Sequence, residues 1–415
     1  MKTIAILGCG ARGTVYAEEL QKHPAGFRFT AFCDDNPRQL KRIQQRLDQE
    51  VPTFADADEF LKEKRADALV IATHDRFHVE QAIKALYLGY DILLEKPVSD
   101  SREEIEALLR AQEVTGRQVI VCHVLRYAPG FRQCEEILHS GELGKLYAID
   151  ASERVVFWHW AQAYVRGIGN TLEHSHPAIL AKCSHDLDLI QAYAGSTCDS
   201  VTSVGGRDFF VPDNAPEGAT ERCLDCPHRD TCNYSAKRIY IDRWHACGEP
   251  THSDPFRRVD LTYPVTEEGL LRALREGRYG VCAFQCPQDQ VDHQMVQMTF
   301  ANGVKASLKM VYAADAGRRL TFYCTEGELI FDEREQTIQV MPFFKAKRVI
   351  DAKMIAERGA AHGGGDAVLS REFGDLVAGV AGCPTTLRES LECHLMGIAA
   401  EESRRQGGAL VKVHK

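Results

Sequence analysis

Short apolar runs and amphipathic stretches alternate through the first third of this chain. Ile4 to Leu7 is an apolar run, and glycines then lead into helical spacing through Tyr16 to Leu20. Phe27 to Cys33 is a second run, ending at Asp34 and Asp35, and Leu40, Ile43 and Leu47 mark one face of the helix that follows. The same alternation continues with Ala68 to Ala72, Val79 to Leu88, Ile92 to Leu94, Arg102 to Thr115 and Val119 to Cys122. Apolar runs separated by helices predict an α/β fold with a doubly wound parallel sheet. Later in the chain, Gln294 to Phe300, Lys305 to Val311 and Leu320 to Cys324 alternate with the period of half-buried strands. Near the C-terminus, Thr386 with Glu389 forms a capping-box pattern, and Leu387, Leu391, Leu395 and Ile398 make the apolar stripe of a last helix.

Composition narrows the class. The chain has 415 residues, 44% hydrophobic and 26% charged, which suits a globular protein with two cores. A formal net charge of -9 argues against a nucleic-acid partner. No apolar run approaches the roughly 20 residues that span a bilayer, and the run after Lys2 is too short for a signal peptide. The 15 cysteines, scattered and odd in number, do not read as a disulfide framework. The expectation is a cytoplasmic protein with reduced thiols.

Gly8, Gly10 and Gly13 form G-x-G-x-x-G, with Ala11 and Arg12 between the last two, at a junction of strand and helix. There the first glycine permits a tight turn, the second lets a pyrophosphate approach the backbone, and the third allows close helix–strand packing. The helix N-terminus supplies amides to the phosphates. Asp34 ends the second strand, roughly 20 residues on, where a carboxylate takes the ribose hydroxyls. NAD is therefore favoured over NADP, with Arg38 one turn later softening that preference.

At Glu95, Lys96 and Pro97, following the strand Ile92 to Leu94, the sequence resembles the Gfo/Idh/MocA oxidoreductases. The likeness covers nearly the whole chain. Ala72, Thr73 and His78 are similar to the loop before the nicotinamide. Tyr127 to Leu146 resembles the crossover into the second domain, His185 to Asp188 the active-site helix, and Thr385 to Arg404 the returning C-terminal helix. The resemblance implies a Rossmann domain over residues 1–123. Residues 124–415 then form a substrate-binding α/β domain with an open, mostly antiparallel sheet, in a homo-oligomer (dimer or tetramer). It implies Lys96 and His185 as catalytic residues acting on a carbohydrate hydroxyl, with Glu95 beside the cofactor. The family's aspartate four residues before the histidine is Ala181 here. Lys182, three residues before His185, stands as its substitute on the expectation that both share one helix face.

His123, Tyr127, His159, Tyr164, Arg166, Asn170 and His293 are the candidate substrate wall, with Arg126 and His362 near it. Aromatic rings and forked donors of this kind suit a sugar. The segment 205–264 breaks the periodic pattern, and most of the family lacks it. Its Cys223, Cys226 and Cys232 fall as C-x2-C-x5-C, a spacing that suits a structural zinc ordering a segment without a core of its own. The fourth ligand stays open among Cys247, Cys282, Cys286, His228 and His245, and unligated thiols or an iron–sulfur cluster are the alternatives. Three functions fit: an NAD-dependent dehydrogenase of a sugar, sugar acid or cyclitol; an NAD-dependent glycoside hydrolase working by transient oxidation and elimination; and a non-catalytic NAD-bound regulator.

Overall fold

The computed structural model describes residues 1–247, 265–314, 317–352 and 361–414. Six strands, β1 (Thr3–Leu7), β2 (Arg28–Cys33), β3 (Thr53–Phe54), β4 (Ala68–Ile71), β5 (Asp91–Leu94) and β6 (Val119–Val121), form a parallel sheet in the order β3-β2-β1-β4-β5-β6. The inner strands are apolar on both faces because helices cover both, so β4 is buried along its length. The helices α1 (Ala11–Gln21), α2 (Pro37–Leu47), α3 (His78–Tyr87) and α4 (Arg102–Thr115) cross between strands. Their ends follow local chemistry. Asn36 caps α2 with Pro37 in its first turn, and Ser101 caps α4, which stops at Gly116 in the left-handed conformation. The strand order reverses between β1 and β4, which opens a crevice at their C-terminal ends.

The second sheet has nine strands: β7 (Leu146–Val156), β8 (Cys198–Gly206), β9 (His293–Phe300), β10 (Lys305–Ala314), β11 (Gly317–Cys324), β12 (Gly327–Asp332), β13 (Thr337–Pro342), β14 (Arg348–Asp351) and β15 (Val411–Lys412). Among the described residues only β7 and β10 pair in parallel here, so the expected mostly antiparallel sheet is present. Helix α5 (Pro129–His139) leads into β7. Helix α6 (Ser184–Ala194) is buried on nearly every side, and the chain returns through α8 (Gly365–Ala378) and α9 (Leu387–Arg405). The capping box of Thr386 and Glu389 starts α9 as expected. His394 of α9 accepts the Val98 amide at 2.8 Å, tying the last helix to the loop after β5. Helix α8, which the apolar pattern did not signal, packs on α1; its Gly374 leaves room for the His23 ring, 2.5 Å from where a β-carbon would stand.

The expectation of a coreless segment at 205–264 needs correction over its described part. Ile239, Tyr240 and Ile241 are buried with Leu270 and Leu274 of α7 (Glu267–Glu276) in a small apolar cluster that also takes Cys223 and Ala161. Residues 248–264 of that segment lie outside the described residues.

Candidate active site

The glycine-rich loop has the geometry its spacing implies. Gly8 has φ +93, and a β-carbon there would sit 2.4 Å from the Ala72 backbone. A β-carbon on Gly13 would meet the Gly8 carbonyl oxygen at 1.9 Å, whereas around Gly10 there is nothing within 4 Å. Two glycines are thus demanded by packing, and the third keeps an open face at the start of α1 where a pyrophosphate fits. Ala11 begins that helix. Asp34 accepts the Cys9 amide at 2.7 Å and the Asn36 amide at 2.9 Å, which aims its carboxylate across the loop. Burial raises its pKa, and those two amides oppose the rise. Arg38 is exposed; Arg42, one turn further, is the cation whose field reaches Asp34, and sequence reasoning missed it.

We expect Asp34→Ala to weaken NAD by about 10-fold or more, the scale of hydrogen bonds to a charged group, and to weaken NADP much less. Titrating both cofactors into the variant checks this. Equal losses would make Asp34 a brace of the loop rather than a reader of the ribose.

The Arg12 side chain is held by carboxylates. Its guanidinium donates to Glu95 at 2.6 Å and to both oxygens of Asp366 at 2.6 and 3.1 Å. Tyr16 donates to the same Glu95 oxygen at 2.7 Å. Burial would raise Asp366, but His362 and Arg12 hold its carboxyl at about 2. This ion-paired block fixes Glu95, whose other oxygen accepts the Lys96 amide at 2.8 Å, and so sets the backbone from which Lys96 projects. Thr73 donates to Gln81, and His78 bridges the Pro97 and Thr73 carbonyls, so both side chains brace the loops after β4 and β5.

Lys96 Nζ reaches the Ala181 carbonyl at 3.2 Å. The aspartate position of the family pattern therefore contributes its backbone oxygen here. Lys182 and His185 do not share one continuous helix: a short helix ends at Ala181, Lys182 and Cys183 form a turn, and α6 begins at Ser184. The expectation of a shared helix face is corrected accordingly. Lys182 instead pairs with Glu153 at 2.9 Å. Burial lowers the pKa of Lys96; Glu95 opposes this, and the positive charges of Lys182, Arg12 and Arg318 add to it. Burial also holds His185 well below its ordinary value, with Lys96, His362 and His123 adding to that. His185 keeps an unpartnered buried Nδ1, and its ring centroid lies 6.1 Å from those of His123 and His362.

Behind this pair lies a buried ionic cluster that sequence reasoning missed. Arg318 donates to Asp186 at 2.8 Å and pairs with Glu153 at 3.0 Å. Glu153 of β7 and Arg318 of β11 face each other in register. The signal was present: β7 buries Ile149, Ala151 and Val155 on one face, and Glu153 occupies the same phase. A carboxylate at an inward position of an alternating strand needs a partner. Burial lifts the Asp186 carboxyl to about 6 against the pull of Arg318. We expect Arg318→Met to destabilise the fold by about 3 kcal/mol, the cost of stranding buried carboxylates. Denaturant unfolding measures it, and a change near zero would show that water reaches the cluster.

The substrate wall is only partly assembled. His159 lies near enough to Glu153 to lower its pKa, so it borders the site. His123 is buried under α9, with Nε2 at 3.0 Å from the Ser390 carbonyl, and its ring backs His185. Arg126 is held bidentate by Asp188 at 2.6 and 2.9 Å. Tyr127 is buried against Thr385, and Tyr164 stacks on Trp160 at 4.4 Å. Three placements differ from expectation. Arg166 turns inward to the Val281 and Tyr234 carbonyls, because a wide helical turn over Ala161–Arg166 points it under the cysteine segment. Asn170 is locked by Arg278 and the Pro287 carbonyl. His293 is clasped by Asp292 at 2.8 Å and lies 3.4 Å from Asp208, at the end of the sheet.

Residues 2–123 match the profile of the Gfo/Idh/MocA family, described as an oxidoreductase family with an NAD-binding Rossmann fold. The Bacillus subtilis (strain 168) protein YteT, named as an oxidoreductase, is 24% identical over 90% of this chain and 88% of its own length. A 2,7-anhydro-N-acetylneuraminate hydratase of Mediterraneibacter gnavus is 28% identical over 50% of this chain and 54% of its own. A levoglucosan dehydrogenase solved with NADH and levoglucosan has the same fold, with a TM-score of 0.72 and 16% identity over 100% of both chains. The fingerprint loop, the Glu95-Lys96-Pro97 strand end and the two-sheet architecture thus stand on one chain whose residues 2–123 carry the NAD-binding Rossmann domain of the Gfo/Idh/MocA oxidoreductases.

Proposed function

We propose that this protein is an NAD-dependent dehydrogenase of a hydroxyl on a sugar, sugar acid or cyclitol. The observation that carries the reading is the meeting of Lys96 and His185 beside the cofactor crevice, both with pKa values pulled down. NAD, held by the Gly8–Gly13 loop and Asp34, supplies the hydride acceptor. Lys96 orients the substrate hydroxyl from the end of β5. His185, neutral at ordinary pH, accepts the hydroxyl proton as the alcohol is oxidised. Lys182 and Arg318 with Glu153 and Asp186 keep the floor of the site charged but balanced, and His159 is the wall side chain we assign to a neighbouring hydroxyl. The levoglucosan dehydrogenase neighbour supports a carbohydrate substrate.

The test is a screen of free sugars, sugar acids and cyclitols with NAD, read as stoichiometric NADH. Dehydrogenation predicts NADH accumulating with one class. The hydratase relative favours a second reading, in which oxidation is transient and a carbon–oxygen bond is cleaved by elimination. Cleavage of a glycoside or anhydrosugar without net NADH would replace the first reading by the second. Binding of NAD with no turnover on any member of either panel would favour a regulator.

A further inference from the structure

Two loops outside the redox site are clamped together by their backbones, and both present cysteines to the same space. The Cys223 amide donates to the Gly280 carbonyl at 2.9 Å, and the Cys282 amide donates to the Glu221 carbonyl at 2.8 Å. Arg222 and Val281 form a β-bridge between them. Cys223, Cys226, Cys232 and Cys282 then line one small cavity of about 20 Å³, room for a single ion or water. Cys286 is not among its lining residues, and His228, which is, turns Nε2 to the Glu217 carbonyl at 2.7 Å.

A second observation points to negative charge in this space. Arg166 is 1% exposed and hydrogen-bonds to the Val281 and Tyr234 carbonyls and to Cys223 Sγ at 3.5 Å. Its remaining terminal nitrogen is buried without a partner, and among the described residues no carboxylate pairs with it. A buried guanidinium without a counter-ion costs several kcal/mol. Four thiolates on a divalent ion carry a net charge of -2 and would supply that counter-charge.

We propose that Cys223, Cys226, Cys232 and Cys282 hold a structural zinc ion, with Arg166 as the buried cation that offsets part of the cage's negative charge. Binding displaces four thiol protons to solvent and forms four zinc–sulfur bonds of about 2.3 Å. No three of these sulfurs lie within 4.8 Å of one another, so side-chain rotation on the clamped backbone closes the cage.

Elemental analysis of full-length protein purified without added metal should find about one zinc per chain. Cobalt(II) exchanged into it should give the intense sulfur-to-metal bands of a tetrahedral tetrathiolate site. Cys282→Ser should lose most of the zinc and weaken those bands, while Cys286→Ser keeps both. Metal-free protein, or iron with acid-labile sulfide, overturns the proposal. So does zinc that survives in Cys282→Ser but is lost in Cys286→Ser. If Cys282→Ser does not fold, the metal content and cobalt spectrum of the parent still decide between four thiolates and none.

Discussion

Lys96→Met and His185→Ala should each cut turnover by about 100-fold or more, the scale of a lost acid–base group, while NAD binding stays within a few-fold of the parent. The separation is expected because the elements differ. The pyrophosphate loop and Asp34 lie on β1, α1 and the end of β2, whereas Lys96 follows β5 and His185 sits on α6. Methionine keeps the length and burial of Lys96 but removes the contact with the Ala181 carbonyl and the charge beside Glu95; Arg12 still neutralises Glu95. Because burial holds the His185 pKa well below its ordinary value, the base is neutral at ordinary pH, and oxidation should slow only when pH falls far enough to protonate it. Lys182→Ala separates two roles. A loss as large as that of Lys96→Met would make Lys182 the substitute for the missing aspartate. A change within a few-fold would make it a partner of Glu153, as their 2.9 Å contact favours. Steady-state kinetics with NAD titration reads all three variants. Full turnover in both Lys96→Met and His185→Ala would move the chemistry elsewhere.

The half of the site that was legible in the sequence is the half that depends on local chain geometry. Gly8, Gly10 and Gly13 announce a turn, an open face and a close helix contact because each needs the absence of a β-carbon for its own reason. Asp34 and Lys96 end strands, and the ends of parallel strands face the crevice. The other half depends on contacts between distant segments. Arg12 looks like a phosphate ligand in sequence, but Asp366, 354 residues away, claims it. Arg166 and Asn170 sit near His159 in sequence, yet a wide helical turn sends Arg166 to the Tyr234 carbonyl of the cysteine segment, and Asn170 is locked by Arg278 and the Pro287 carbonyl. Glu153 and Arg318 were readable in principle, since each breaks the apolar phase of its own strand, but their pairing needs the register of β7 with β11. The capping box of α9 was legible for the same local reason as the glycines, whereas helix α8, with Gly365, Asp366 and Gly374 on its buried face, carries too weak an apolar stripe to stand out.

Stability should fall steeply as pH drops from 7 to 5, before most carboxylates protonate. Four buried imidazoles, His78, His123, His185 and His394, have pKa values lowered in the fold, each first by burial. His185 and His394 are held well below the ordinary value of 6.5. In the unfolded chain each takes a proton as pH falls through that value; in the fold each takes it only at a lower pH. The unfolded state therefore binds more protons below about pH 6.5, and stability rises with pH across that window. An imidazole that stayed neutral throughout would cost about 2 kcal/mol at pH 5 relative to pH 7, and His185 and His394, whose values fall furthest, contribute most. Asp186 acts in the opposite sense. Its carboxyl, lifted to about 6 by burial, binds a proton in the fold before the unfolded chain does, and returns about 1 kcal/mol on the way down. The net effect is a loss, which urea unfolding at pH 7, 6 and 5 measures directly. His394→Gln isolates one contributor: its side-chain oxygen can accept the Val98 amide that His394 accepts at 2.8 Å, without a group that titrates in this window. That variant should be less pH-sensitive than the parent by about one proton's worth of slope, about 1.4 kcal/mol per pH unit between pH 6 and 5. A parent whose stability is flat from pH 7 to 5 would mean that these imidazoles titrate in the fold as they do in water.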